Sequence, residues 1–371
     1  MGSNYTQAQA EADFKRTYTE EFHKNFHRPN ILVCGYTGSG KSSLVNAILG
    51  DDVVPPSAIG EGKPKTMGFE EYASDLVRVF DSKGMENGDT EEEFVQMTQA
   101  FVRSRQENPN VDEHIHLVWY VIQGSGARVT DCDISLITKI FTARNVIAVI
   151  TKSDITRENQ RVAMKERLMN AGIPESRIVF TSDKEGGSQG CAELMRLTYE
   201  MLPNAYRDAF MAQQEIDLAA KRQAIENKEG AASAIIATAT VAATAAAASP
   251  IPFSDAAIIV PAQVTMIASL AGLYGVSGDQ IKAQALPFVA KMAGTFIAGN
   301  AIKFIPFLGS IAGAILNGTV AAGITGGMGL YVKHLFKETA LAKIDGREPP
   351  EMVFDPTVFE RFHEMYKRQN G

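Results

Sequence analysis

The sequence predicts an α/β domain built on a mainly parallel six-stranded sheet, joined to an all-helical region, and three observations carry that prediction. Between Asn30 and Gly50 an apolar run gives way to a glycine turn and then to a helical pattern. From Ile31 to about Pro203 apolar runs alternate with helical patterns, as βαβ units around a parallel sheet require. Beyond Pro203 the composition changes to long uncharged stretches rich in alanine and glycine.

Length and composition set the frame. At 371 residues the chain exceeds one typical domain, and a hydrophobic content of 45% is ample for a core. A net charge of -7 with no lysine and arginine cluster argues against a general nucleic-acid binder, so no nucleic acid is expected as a partner. Cys34, Cys132 and Cys191 are scattered, lack metal-ligand spacing and read as small buried hydrophobes in a reducing compartment. Residues 1–29 are polar and charged, which predicts no cleavable signal sequence. Met1 to Thr6 does fit the short, common N-myristoylation pattern at Gly2.

Taken in order, residues 5–28 hold no proline or glycine and space Phe14, Tyr18, Phe22 and Phe26 four apart, which predicts a helix packing on the next domain. Strand candidates are Ile31–Cys34, Leu76–Phe80, Ile115–Ile122, Val146–Ile150 and Arg177–Phe180. Helical patterns lie between them at Glu91–Arg105, Asp131–Ala143, Thr156–Ala171 and Cys191–Leu202. In such folds ligands sit at the carboxyl ends of the strands.

The first of those ends carries Gly35-Tyr36-Thr37-Gly38-Ser39-Gly40-Lys41-Ser42, the pattern G-x-x-x-x-G-K-S. Its glycines let backbone N–H groups approach phosphates, Lys41 supplies a point charge and the Ser42 hydroxyl a Mg²⁺ ligand, at the positive end of a helix. Gly35, Thr37, Gly38, Ser39, Gly40, Lys41, Ser42 and Ser43 are the expected phosphate contacts. Four later stretches fall at strand ends in the order a guanine-nucleotide switch predicts. Thr66, in Gly62–Thr66, would coordinate Mg²⁺ and sense the γ-phosphate. Asp81, in Asp81-Ser82-Lys83-Gly84, would hold the metal through water, and the Gly84 N–H would meet the γ-phosphate. Thr151-Lys152-Ser153-Asp154 follows, where the Asp154 carboxylate can accept both N1–H and the exocyclic amine of guanine while the Lys152 stem covers the base. Last come Thr181 and Ser182, whose backbone N–H groups can take the guanine O6. Lys41, Thr66 and Gly84 are thus the residues expected to act on the transferred phosphate, and Ser42, Thr66 and Asp81 those expected at the metal.

On these motifs residues 30–203 resemble a G domain of the translation-factor-related GTPase class. Gly35–Ser43, Asn46–Gly50, and Val118–Ile122 with Gly126-Ala127-Arg128 resemble its Era-like branch, and Gly38–Ser43 is also similar to immunity-related and dynamin-like GTPases. The resemblance implies GTP and GDP as ligands, Mg²⁺ as cofactor, and hydrolysis of GTP to GDP. Two departures bear on rate. Met85 follows Gly84 where related enzymes carry a glutamine that positions water, and Gly38 stands where potassium-dependent relatives carry asparagine. Slow turnover, dependent on a partner or a dimer, is therefore expected.

Asn204–Lys228 reads as a connecting helix. Uncharged runs follow at Gly230–Ser254, Ala256–Gly278 and Phe304–Val332. This part resembles the alanine- and glycine-rich helical domain appended to bacterial Era-like GTPases. The runs have the length to cross a bilayer, although alanine and threonine insert weakly. Gly309-x-x-x-Gly313 would allow close helix contact in lipid or in a soluble bundle. The six histidines have no acid or cysteine partner at a recognisable spacing and read as surface or packing residues. The expected division is an N-terminal helix over 1–29, a G domain over 30–203, a helical domain over 204–345 and a C-terminal helix over 346–371. The expected function is a slow GTPase switch coupled to membrane or self-association, in the cytoplasm and peripheral at a membrane. Its partners would be a guanine nucleotide, a second copy met through the G domains, and lipid. The alternatives are a GTP-loaded scaffold with negligible turnover and an integral membrane protein with a regulatory G domain.

Overall fold

The structure is a computed structural model that describes residues 6–50, 68–82, 90–126, 128–141, 145–182, 190–247, 255–288, 318–352 and 356–370. The chain divides into two compact units, one of Phe26–Lys221 and one of Met1–Asn25 with Arg222–Gly371.

The first unit is α/β. Its strands are β1 (Asn30–Cys34), β2 (Phe69–Ala73), β3 (Arg78–Ser82), β4 (Leu117–Gln123), β5 (Val146–Thr151) and β6 (Ile178–Phe180), in the order β2-β3-β1-β4-β5-β6. All neighbours pair in parallel except β2 with β3. In register, Ile31 lies opposite Val79 on one side and Leu117 on the other. The pleat sends alternate residues to opposite faces. Ile31, Val33, Val79, Trp119 and Val149 enter one core, and Leu32, Cys34, Phe80, Tyr120 and Ile150 enter the other. Both faces are covered, which is why the central strands read as unbroken apolar runs.

Helices α2 (Lys41–Leu49), α3 (Glu91–Gln106), α4 (Asp131–Ser135), α5 (Glu158–Asn170) and α6 (Cys191–Met201) supply the covering layers. A capping box starts α3, with Thr90 accepting from the Glu93 N–H and the Glu93 carboxylate returning to Thr90. The run Glu91-Glu92-Glu93 thus lies in a first turn, where negative charge meets the helix dipole favourably. Helix α4 continues into a π-helical turn at Leu136–Ile140. The expected connecting helix over Asn204–Lys228 is instead two helices, α7 (Asn204–Gln213) and α8 (Leu218–Glu226), separated by Gln214–Asp217. The α/β unit accordingly extends through α7, beyond the boundary expected at Pro203.

The second unit is helical: α9 (Glu229–Ala247), α10 (Asp255–Tyr274), a short turn α11 (Gly278–Gln280), α12 (Gly318–Ile344) and α13 (Pro356–Asn370), together with α1 (Gln7–Asn25). Phe14, Ile236, Val264, Leu270, Tyr331 and Phe359 share its core. The N-terminal helix therefore belongs with the helical unit and not with the domain that follows it in sequence. Its aromatic ladder lies against α10, where Gly272 leaves room for the Phe22 backbone and Tyr18 Oη donates to Val276 O at 2.7 Å. Gly309, Gly313 and the other residues of 289–317 lie outside the described residues.

Candidate functional site

The site is built at the carboxyl ends of β1, β3, β5 and β6. The buried strand β1 delivers the chain to Gly35, where a Cβ would overlap the Val121 carbonyl oxygen on the neighbouring strand. Only glycine fits there. Gly38 and Gly40 then adopt φ of 76° and 90°, in the left-handed region that glycine enters without strain, and α2 begins at Lys41. Left-handed glycines leading straight into a helix N-terminus make a backbone geometry suited to anions, with the Ser39 N–H donating within the loop to Tyr36 O at 3.2 Å. The buried Lys41 ammonium lies within this loop, donating to Gly35 O at 3.1 Å and Tyr36 O at 3.2 Å.

Asp81 on β3 stands beside the start of α2. The Ser42 hydroxyl donates to Asp81 Oδ2 at 3.3 Å, while Asp81 Oδ1 is buried with no hydrogen-bond partner among the described residues. Burial pushes the Asp81 carboxyl up to about 6, opposed by the nearby Lys41 charge and the Ser42 hydrogen bond. A buried orphan carboxylate oxygen next to a hydroxyl is a donor set that fits a hard divalent cation such as Mg²⁺, held through water by the carboxylate. Thr66 and Gly84 lie outside the described residues.

The base-side loops meet the phosphate loop directly. Thr151 ends β5, and its Oγ1 donates to Ser39 O at 2.5 Å. Lys152 carries φ 51°, a left-handed conformation that costs a non-glycine residue about 1–2 kcal/mol, and its Nζ donates to Gly38 O at 3.1 Å. Next in sequence, Asp154 sits half-buried in a tight turn at Ser153–Ile155. The Ser153 N–H donates to Thr181 O at 3.0 Å and the Thr181 N–H to Ile150 O at 2.8 Å, so the β5 and β6 ends are locked together. Ser39 Oγ and Ser182 Oγ, on the two loops, are buried without a partner among the described residues. Thr37, at the tip of the loop, and Ser43, in the first turn of α2, complete the segment.

Sequence reasoning missed the second layer. Tyr36 Oη lies 3.1 Å from Thr130 Oγ1. The Asp133 carboxylate, almost wholly buried, accepts from Thr130 N–H and Oγ1 and from Tyr120 Oη at 2.6, 2.8 and 2.6 Å. This network anchors the loop to the start of α4. The capping-box spacing of Thr130 and Asp133 was the signal that could have found it. The cysteines are buried and unbridged, and burial pushes the Cys34 thiol up to about 12, leaving it unreactive. Among the described residues no group of His, Cys, Asp and Glu gathers as a metal cluster.

Residues 88–210 match the family described as Septin. The chain is 26% identical over 200 residues to Cell division control protein 10 of Saccharomyces cerevisiae, covering 47% of this chain and 62% of that protein. It is 26% identical over 163 residues to Septin-9 of Homo sapiens, covering 38% of this chain and 28% of that one. To Septin homolog spn1 of Schizosaccharomyces pombe it is 23% identical over 204 residues, 47% of this chain and 44% of that one. The chain thus spans less than two thirds of the length of these relatives. A solved structure of Toc33 from Arabidopsis thaliana, in complex with Mg²⁺ and GMPPNP, aligns at 15% identity with a TM-score of 0.31, over 56% of this chain and 95% of that one. The family match and two of the curated relatives carry the name septin, whereas the loop residues pointed to Era-like and dynamin-like GTPases. The matched stretch begins after the phosphate loop, whose glycines, lysine and serine answer to phosphate chemistry shared by the whole P-loop class and do not separate its branches.

Proposed function

Taking the α/β unit as a P-loop GTPase domain of septin-like sequence, we propose that the chain binds GTP and GDP with Mg²⁺. It hydrolyses GTP to GDP slowly, as a switch that associates with further copies of itself. The observation that supports this most is the meeting of the phosphate loop with Thr151-Lys152-Ser153-Asp154, through Thr151 Oγ1 on Ser39 O and Lys152 Nζ on Gly38 O. One rigid assembly then offers a phosphate cradle and a carboxylate for a purine edge.

The division of labour follows from each group's chemistry. The N–H groups of Gly38, Gly40, Lys41 and Ser42 would bind phosphate oxygens, and Lys41 would turn its charge to the β- and γ-phosphates. Asp154 accepts two hydrogen bonds from guanine, which adenine cannot supply. Ser42 and Asp81 would hold Mg²⁺, which neutralises charge developing on the phosphate oxygens. With Met85 after Gly84, the side chain there cannot orient the attacking water, so a further copy of the chain is the proposed source of that group.

The same reading gives the helical unit a role at lipid surfaces. The stretch Leu218–Ala246, which runs from α8 through the turn at 227–228 into α9, is long and apolar enough by length and composition to cross a membrane, and 33% of its most apolar part is buried. Val241 on α9 is 69% exposed.

Single-turnover GTP hydrolysis measured over rising protein concentration tests the proposal. The expected result is a slow rate that climbs with concentration and disappears in Lys41→Ala, whose nucleotide affinity also falls. A fast rate independent of concentration, or no turnover at any concentration, would contradict it.

A further inference from the structure

Helix α2 begins at the phosphate loop, and its opposite end leaves carbonyls without intrahelical partners. Two of them are taken by the last residue of α7 and by the segment that links α7 to α8. Gln213 Nε2 donates to Leu49 O at 2.7 Å and the Glu215 N–H to Ile48 O at 2.9 Å. Gly50 closes the helix at φ 84°, and a Cβ there would lie 2.7 Å from the Glu215 carboxylate. The other half of the Gln213 amide faces the β2–β3 hairpin, where its Oε1 accepts from Ser74 Oγ at 2.9 Å. Ser74 begins the tight turn closed by its own N–H on Val77 O at 2.9 Å, and the strand leaving that turn is β3, which carries Asp81.

Both glutamines are buried, Gln213 to 2% and Gln214 to 0% exposure. Gln214 stiffens the segment that follows, accepting from the Ile216 and Asp217 N–H groups at 2.8 Å each and donating to Asp217 O at 3.0 Å. No nucleotide contact requires any of these bonds, since they lie at the far end of α2 from the phosphate loop.

We propose that Gln213 is a clasp that senses the position of α2 relative to the β2–β3 hairpin and passes it to α8, the helix by which the chain leaves the α/β unit. The inference rests on the nucleotide-switch reading above. Phosphates would load the start of α2, and the metal would load Asp81 on β3. The single planar amide of Gln213 joins the end of α2 to the turn that leads into β3. Hydrogen bonds weaken steeply with distance and angle, so one rigid amide cannot follow two elements that move apart. A buried amide left unpaired is costly, so Gln213 and the stiff segment behind it must shift instead. Gln213 is in this sense a positioning residue: it touches neither phosphate nor metal.

Hydrogen exchange of residues 218–226 in the full chain, saturated with GDP or with a non-hydrolysable GTP analogue, tests the clasp. In the unaltered protein the exchange rate should differ between the two nucleotides by at least about threefold, the size of a modest local-opening shift. Gln213→Leu removes both bonds; Gln213→Glu keeps the acceptor for Ser74 and loses the donor to Leu49. Either variant should abolish the difference while its nucleotide affinity stays within about threefold, an outcome that simple destabilisation of the site would not give. Should Gln213→Leu fail to fold, Gln213→Glu carries the test. A difference that survives in a folded, nucleotide-bound variant overturns the clasp, as does a wild-type protein that binds both nucleotides yet exchanges identically. If the wild-type protein binds no guanine nucleotide, the switch reading falls and the clasp falls with it.

Discussion

Single residues decide whether the loop exists at all. At Gly35 the obstacle to a side chain is a backbone carbonyl, that of Val121, which cannot turn aside. Gly35→Ala should therefore cost about 2–4 kcal/mol and cut nucleotide affinity, measurable by urea unfolding and by titration with a fluorescent nucleotide. Wild-type stability and affinity in that variant would show the β1–β4 spacing to be softer than described. A second residue-scale effect sits away from the site. His116 Nδ1 accepts the Asn30 N–H at 2.9 Å, and its Nε2 faces Val111 O at 3.2 Å. The histidine can therefore take no further proton without losing the Asn30 bond, and burial, the largest cause, pulls its pKa down to about 4. The unfolded chain, with a histidine near the usual value of about 6.5, binds that proton more readily. The stability linked to His116 is thus present above pH 6.5 and lost as the pH falls toward 4, by at most about 3 kcal/mol. In His116→Gln, whose amide oxygen can also accept from Asn30, the fall in stability between pH 7 and pH 4.5 should be smaller than in the wild type. Equal falls would assign the acid sensitivity to other groups.

At the scale of elements, legibility followed burial on both sides. The strands β1, β4 and β5 are covered on both faces, so their apolar runs stood out of the sequence. Edge strand β2 reads Phe-Glu-Glu-Tyr-Ala, with only Phe69 and Tyr72 buried, one in each core, and the glutamates between them left no run to see. The break between α7 and α8 was invisible for another reason. Gln213 and Gln214 look like ordinary helix formers, and only the carbonyls of α2 and the Ser74 turn, distant in sequence, make them a connector. Partner choice was likewise hidden: the ladder of Phe14, Tyr18 and Phe22 predicted a packed face, but what it packs on depends on Gly272 far down the chain. Small residues do the same for the C-terminal helix. Helix α13 lies on a seam of α12 where a Cβ on Gly327 would come within 2.8 Å of the His363 backbone and one on Gly323 within 2.8 Å of its ring. His363 Nδ1 pairs with Gly323 O at 2.8 Å. Gly327→Ala should therefore raise hydrogen exchange across residues 356–370 by about tenfold or more, corresponding to loss of at least about 1.4 kcal/mol of docking. Unchanged protection would mean that the seam tolerates side chains.

At the scale of the whole molecule the two units are unlike in how they are joined in sequence. The α/β unit is one continuous stretch, whereas the helical unit is assembled from both ends of the chain. Removing residues 1–25 should consequently loosen α10 and raise its hydrogen exchange, while leaving guanine-nucleotide affinity within about threefold, because the stretch 26–221 keeps its own cores. Loss of nucleotide binding on that truncation would contradict the division. The motifs of the candidate site stood out of the sequence because phosphate and purine recognition would impose fixed residue types at strand ends. The branch of the GTPase class did not, because those same residues serve every branch. In the proposed function, Thr151-Lys152-Ser153-Asp154 and the phosphate loop form one guanine-nucleotide site. The most direct test is titration of the full chain, with Mg²⁺, against GTP, ATP and XTP, in the wild type and in Asp154→Asn. Pairing of the carboxylate with the guanine edge predicts that the wild type prefers GTP to ATP by at least about 100-fold, and that Asp154→Asn weakens GTP and strengthens XTP, whose 2-oxo group suits an amide donor. Equal binding of ATP and GTP by the wild type, or an Asp154→Asn variant with unchanged preference, would contradict it.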